Sequence, residues 1–295
     1  MTRLLVVRLS ALGDVIHTLP AVAALKPHFD ISWAVEKPYR ELVERVGGVR
    51  AILLSLKRWR SVPEALRAVK GNEVSVDFQG LIKSSALAWR SGAKERWSFD
   101  RDAIREKPAL LFSNRRVSVD QTQHVIDWNL QLARALVPEV TLPDIDFRPF
   151  ADPAPRDRDI VLLPAAGRPE KQWPIERFRE LARRIGPKAL AVWGPGEEEL
   201  ARQIGCRMAP NTSLRELAAV LRDAELVVGG DTGPLHLAAA LGTPLIGLYG
   251  PTNPRRNGPY GQLDRCISTF DTAKTMDAIP VEQVLGLLEN RTVSS

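Results

Sequence analysis

Two short turns carry the side chains best suited to chemistry. The first is Gly13-Asp14, set between an apolar run and a helical pattern in "RLSALGDVIHTLPAV". The second is "GGDTGP", Gly229 to Pro234, in the same kind of setting. Parallel sheets bind ligands in the crevice at the carboxyl ends of their strands, and both turns are expected at such ends. Asp14 puts a carboxylate at the mouth of the first turn, although an aspartate there can also simply cap the following helix. In the second turn the glycines let backbone approach a ligand closely. Pro234 suits a first helical turn, and free N–H groups with the helix dipole offer an anion site fit for a pyrophosphate. Asp231 or Thr232 as an ordinary cap is the alternative. The triplet Asp231-Thr232-Gly233 is also that of aspartic proteases, but here it lies in an α/β pattern and has no second copy. No G-x-G-x-x-G follows the first strand and no Walker motif occurs, which argues against dinucleotide and P-loop readings.

The elements that must position these turns alternate. "RLLVVRL", "ISWAVE" and "VSVDFQG" read as strands of the first half, with a helix pattern over His17 to Lys26. "QHVIDWNLQLARALV" is an amphipathic helix with Val125, Trp128, Leu132 and Leu136 on one side. Residues 138–159 hold five prolines and no helical period, so they read as a linker. The alternation then restarts with "DIVLLPA", "PIERFRELARRIG", "KALAVWG", "EEELARQIG", "SLRELAAVLRDA", "ELVVGG", "PLHLAAALG" and "PLIGLYG". Pro174 and Gly186 bracket the second of these, and Ser213 with Glu216 forms a capping box on the fifth. Strand–helix alternation on both sides of a linker predicts two Rossmann-like domains with parallel sheets, over 1–150 and 151–275. The amphipathic segment in 276–295 can fold back on the first domain.

Composition excludes several classes. The chain has 295 residues, 44% hydrophobic and 26% charged, which suits large globular cores. Its two cysteines, Cys206 and Cys266, stand apart from any His/Cys cluster, against a disulfide framework or zinc site. No stretch reads as a signal peptide or a membrane span. The net charge of +6 is uneven: Arg50 to Asp120 holds 15 Lys/Arg against 8 Asp/Glu. Such a local excess implies an anionic partner or a solvated surface. No RNP, helix-turn-helix or zinc motif accompanies it, so nucleic acid is not expected.

Five segments then carry a resemblance. They are "SALGDVIHTLPA" at 10–21, "VDFQGLIKSSAL" at 76–87, "EKQWPIERFREL" at 170–181, "WGPGEEE" at 193–199 and "GGDTGPLHLAAALGTPLIGLYGPTNP" at 229–254. In this order the chain resembles glycosyltransferase family 9, the bacterial heptosyltransferases. The Gln-Gly-Leu-Ile-Lys-Ser segment points to the branch that adds the first heptose. The resemblance implies a GT-B fold, with two Rossmann-like domains facing across a cleft. It implies ADP-L-glycero-β-D-manno-heptose as donor, the inner Kdo of Kdo₂-lipid A as acceptor, and inversion at the anomeric carbon. The setting would be cytoplasmic, peripheral on the inner face of the cytoplasmic membrane. Another family 9 donor or acceptor, or a GT-B-fold sugar-nucleotide isomerase, stands as the alternative.

By position in the motifs, Asp14 matches the family's catalytic base. Lys171 and Asp231 match donor-binding residues, Glu197 the acid that holds donor hydroxyls, and Thr232, Gly233 and His236 the segment around the donor phosphates. One departure is Ala165-Ala166, where relatives carry two hydroxyl residues. Phosphate contacts there fall to backbone N–H groups, Gly167 or Arg168. Lys83, Arg58, Arg60, Arg115 and Arg116 are the candidates for Kdo carboxylates and lipid A phosphates, and the same basic stretch suits an anionic membrane surface. No essential metal and no cofactor are expected.

Overall fold

The computed structural model describes residues 1–54, 62–153 and 158–289. The chain divides into two units, Met1–Asp146 and Phe147–Ser295. The division falls inside the proline-bearing stretch, a few residues before the expected boundary.

The first unit runs β1 (Thr2–Val7), α1 (Leu12–Leu25), β2 (Phe29–Glu36), α2 (Arg40–Arg45), β3 (Arg50–Leu54), α3 (Val62–Ala68), β4 (Val74–Asp77), α4 (Ile82–Arg90), β5 (Glu95–Phe99), β6 (Arg115–Val117) and α5 (Val125–Leu136). Its sheet is wholly parallel in the order β3-β2-β1-β4-β5-β6. A parallel strand is covered on both faces, and Leu4 to Val7 of β1 are accordingly fully buried. The winding reverses between β1 and β4, so the crevice of this sheet opens at their carboxyl ends. Asp14 and the 78–85 segment follow those two ends.

The helix after β1 starts earlier than its periodicity suggests. It begins at Leu12 rather than His17, so Asp14 is the third residue of α1 and not part of a preceding turn. The apolar repeat becomes visible only where α1 packs inward; its first turn faces the crevice.

The second unit runs β7 (Ile160–Leu163), α6 (Ile175–Ile185), β8 (Ala189–Ala191), α7 (Glu198–Arg202), β9 (Arg207–Met208), α8 (Leu214–Asp223), β10 (Leu226–Gly230), α9 (Gly233–Ala240), β11 (Leu245–Tyr249), α10 (Pro254–Asn257), β12 (Cys266–Ser268) and α11 (Val281–Glu289). Its parallel sheet is ordered β12-β11-β10-β7-β8-β9, which is the same winding as in the first unit. The reversal lies between β7 and β10. Local signals hold here: Gly186 closes α6 with φ +76°, and Ser213 and Glu216 form both bonds of the capping box on α8.

The closing helix α11 packs within the second unit. Its buried residues Val281 and Val284 belong to the second unit's own core with Phe178 and Leu181. The reason is a tether upstream of it: Trp173 and Arg177 both donate to the carbonyl of Ile279, which brings the start of α11 onto α6. The indole N–H to that carbonyl is 2.9 Å.

Trp173→Ala removes this tether and a fully buried ring together. It should lower the stability of the second unit by about 3–5 kcal/mol, read as a shifted urea midpoint for that unit, with the first unit's transition unmoved.

Candidate active site

At the first crevice Asp14 does not cap its helix. Ala11 is the N-cap and makes no side-chain bond. The Asp14 carboxylate instead meets two arginines, Arg8 Nη2 at 2.5 Å and Arg105 Nη1 at 3.6 Å. The three differ in access: the Arg8 side chain is 6% exposed, Asp14 29% and Arg105 54%. Arg8 is thus a cation taken out of water, anchored by Nη1 to the Phe78 carbonyl at 2.5 Å. Burial pulls its pKa below the ordinary value, while the Asp14 carboxylate pushes it back up. A guanidinium stays charged in proteins, so the carboxylate is the group that answers it. The pair fixes the direction of Asp14 while leaving the carboxylate open to a substrate. Its place in the first turn of α1 also favours negative charge.

A second carboxylate shapes the wall of this crevice. Asp77 closes β4 and is fully buried. It accepts from Ser85 Oγ at 2.5 Å, Ser84 Oγ at 2.9 Å, Gln79 N at 2.9 Å and Gly80 N at 3.2 Å. Burial raises its pKa and these donors work against the rise. The turn so fixed aims Gln79 Oε1 at Leu9 N, 2.9 Å away. At Gly80, φ is +68° and a Cβ would lie 3.2 Å from Arg105 N. Only glycine therefore lets the 104–106 backbone come close enough to present Arg105 to Asp14.

At the second crevice three predicted residues meet. Asp231 Oδ2 is 2.6 Å from Lys171 Nζ, and its Oδ1 is 3.1 Å from His236 Nε2. Burial opposes ionisation of Asp231, but the His236 bond and then Lys171 overcome it and hold the carboxyl at about 2. The 3₁₀ turn Pro169–Lys171 carries the lysine. It crosses β10 closely: a Cβ on Gly230 would stand 2.9 Å from the Lys171 carbonyl oxygen. Both oxygens of Asp231 are therefore engaged by cationic or polarisable partners. The carboxylate positions Lys171 and His236 rather than offering itself to an anion. An ammonium has three donors, so Lys171 keeps N–H bonds for a ligand.

Two hydroxyls follow strand ends of this sheet: that of Thr232, already marked by the motif, and that of Thr252, which no sequence signal singles out. Thr232 is the extended N-cap of α9 but makes no capping bond. Its Oγ1, like that of Thr252 just after β11, is buried without a hydrogen-bond partner. Such groups carry a desolvation cost that a ligand oxygen would relieve. Glu197 stands at the end of the β8 connection, where its Oε2 accepts from Gly194 N at 2.8 Å.

Among the described residues, those expected to meet the acceptor spread from the segment after β4 to the edge strand β6. Lys83 is exposed in the first turn of α4. Arg115 and Arg116 sit on the edge strand β6, with β4 and β5 between them and β1. Arg115 lies 3.5 Å from Glu95, and Arg116 donates to the Leu110 carbonyl at 3.0 Å. Arg58 and Arg60 lie outside the described residues. His17 is packed edge-on against His124 at 5.2 Å. Ala165 and Ala166 follow β7 and are half-buried; Arg168 nearby pairs with Glu170 at 3.3 Å. Among the described residues no group of three His, Cys, Asp or Glu could hold a metal ion.

With this geometry in hand, known proteins fall into place beside it. Residues 59–282 match the profile of glycosyltransferase family 9 (heptosyltransferase). The chain is 34% identical to lipopolysaccharide heptosyltransferase 1 of Salmonella typhimurium, over 95% of this chain and 98% of that protein. The structure of E. coli heptosyltransferase WaaC with ADP matches with a TM-score of 0.84 at 29% identity, covering 98% of this chain and 99% of the other. WaaC with ADP-2-deoxy-2-fluoro heptose matches with a TM-score of 0.81 at 30% identity, covering 98% and 100%.

The Asp231 triad gives a pH signature. Its folded pKa lies below the ordinary value, so its stabilisation is present above pH 4 and is lost as pH falls from about 4 towards 2. The contribution is about 2 kcal/mol. Urea unfolding of wild type and Asp231→Asn at pH 5 and pH 2.5 should show a gap between them that narrows markedly at the lower pH. A gap of equal size at both would assign the stability elsewhere.

Proposed function

The chain belongs to glycosyltransferase family 9, and from that membership we propose that it is an inverting heptosyltransferase of lipopolysaccharide inner-core synthesis. It moves L-glycero-D-manno-heptose from ADP-heptose to the inner Kdo of Kdo₂-lipid A. The observation that carries this reading is the pair of charge clusters, Arg8–Asp14 and Lys171–Asp231–His236, each at the winding reversal of its own sheet.

The division of labour follows from their chemistry. An inverting transfer needs a base for the acceptor hydroxyl and a stabilised leaving group on the donor. A glycosidase needs a second carboxylic acid because its leaving group is a poor alkoxide. ADP leaves readily, and cations with oriented amides take the place of that acid. Asp14 is the base, held by Arg8 and open on its other side. Arg105, more than half exposed beside it, sets a cation where an acidic acceptor sugar lies. An aspartate is a weak base, but it suffices once the anomeric carbon has become oxocarbenium-like and the attacking hydroxyl is acidified.

Lys171 and the amino end of α9 receive the diphosphate as the bond to heptose breaks. Asp231 holds Lys171 and His236 in place. Thr232 and Thr252 offer the hydroxyls that Ala165 and Ala166 lack, so donor phosphates keep side-chain partners on this chain. Glu197, with one oxygen on Gly194, keeps the other for a donor hydroxyl. The acceptor is a lipid, and none of the helices among the described residues is long and apolar enough to cross a membrane. On this reading the enzyme works at the inner face of the cytoplasmic membrane, held peripherally on anionic headgroups by its basic first half.

The test is a product assay. Purified protein with ADP-heptose and deacylated Kdo₂-lipid A should yield one added heptose by mass, and a panel of other nucleotide sugars should not. Transfer from another donor alone, or conversion of donor without acceptor, would overturn the reading in favour of a different family 9 transferase or an isomerase. Asp14→Asn should lower kcat by about 10²–10⁴-fold. Turnover at the wild-type rate would remove Asp14 from the base role.

A further inference from the structure

We propose that the face formed by α4 and the 107–112 turn docks onto an anionic lipid bilayer. The inference rests on the reading above, in which the acceptor is a lipid, and it names the surface that meets that lipid's membrane.

Helix α4 buries Ser84, Ser85, Leu87 and Ala88 and turns Ile82, Lys83, Trp89 and Arg90 outward. Ile82 is 43% exposed and Trp89 49%. The neighbouring 3₁₀ turn Lys107–Phe112 presents Leu111, 85% exposed. These residues form one surface. Ile82 N donates to Glu106 Oε2 at 2.6 Å at one end of α4, and the Trp89 and Phe112 rings lie 6.1 Å apart at the other. The Arg90 guanidinium stands 5.9 Å from the Trp89 ring centre. Arg116 reaches the Leu110 carbonyl, which ties β6 to the same turn.

An apolar ridge of this kind in water is normally covered. What covers it follows from its border. Lys83, Arg90, Lys107, Arg115 and Arg116 are all exposed around it. The adjoining acids are engaged: Glu106 by Ile82 N, and Glu95 by Trp97 and Arg115. Protein interfaces are depleted in lysine, whereas a bilayer surface takes tryptophan at headgroup depth, a leucine below it and cations beside anionic headgroups. Arg115 and Arg116, expected as acceptor ligands, act on this reading through the membrane that holds the acceptor.

Flotation of the full chain with vesicles tests it, using phosphatidylcholine alone and phosphatidylcholine with one third phosphatidylglycerol. The protein should float with the anionic vesicles and stay behind with the neutral ones. Trp89→Ser combined with Leu111→Ser should lower partitioning roughly tenfold, and so should Arg90→Glu combined with Lys107→Glu at low salt. Both pairs are exposed, so unfolding midpoints should match wild type, and transfer to the deacylated, soluble acceptor should stay unchanged. Wild type that ignores anionic vesicles, or a Ser/Ser variant that floats as well as wild type, would overturn the proposal. Flotation needs no substrate, so its failure is separable from failure of the heptosyl reading.

Discussion

A charge withdrawn from water must be answered by another, and two such answers organise this protein. Arg8 is buried just past β1 and is met by Asp14; Asp231 is buried just past β10 and is met by Lys171 and His236. In the first pair the carboxylate is the more accessible partner, and in the second cluster the ammonium of Lys171 is. The arrangement inverts between units. In the first, a buried cation holds an open carboxylate, which can take a proton. In the second, a buried carboxylate holds a cation, which can receive departing negative charge. The same winding of six parallel strands serves opposite electrostatic ends.

The surrounding chain is shaped by these pairs more than by the repeating elements. Asp77 gathers four donors to set the turn that carries Gln79 and Gly80. Gly80 admits the backbone of Arg105, and Gly230 admits the turn bearing Lys171. A side chain at either glycine would push a cation away from its carboxylate. That explains why the glycines sit at these positions, where backbone passes over backbone.

Much of this was legible in the sequence, and the gaps have physical causes. Alternating strands and helices gave the two parallel sheets, and cap chemistry at Ser213 and Gly186 gave helix ends, because both signals are local. Edge strands such as β6 and β9 were not visible, being two or three residues long and half solvated. On α5 the buried residues include Ile126 and Asn129, while Val125 and Leu136 are only partly covered, because Asn129 turns inward to reach the His17 carbonyl. Asp14, Lys171, Asp231 and His236 were singled out from motifs. In the sequence Arg8 is only a charge at the end of the apolar run of β1, and Arg105 only one charge among many. Neither can be recognised without the fold that brings residue 8 or residue 105 to residue 14. The basic excess was real as composition, but its members divide: Arg105 serves the crevice, and Lys107, Arg115 and Arg116 border an apolar ridge elsewhere.

The central claim is that each unit carries one half of the chemistry on its own charge pair. Calorimetric titration of ADP into wild type, Asp14→Asn and Lys171→Met tests it most directly. Asp14→Asn should bind ADP with an unchanged Kd, and Lys171→Met should bind at least about tenfold more weakly, the loss of a charge-assisted contact to phosphate. Weakened binding by Asp14→Asn together with undisturbed binding by Lys171→Met would contradict the account.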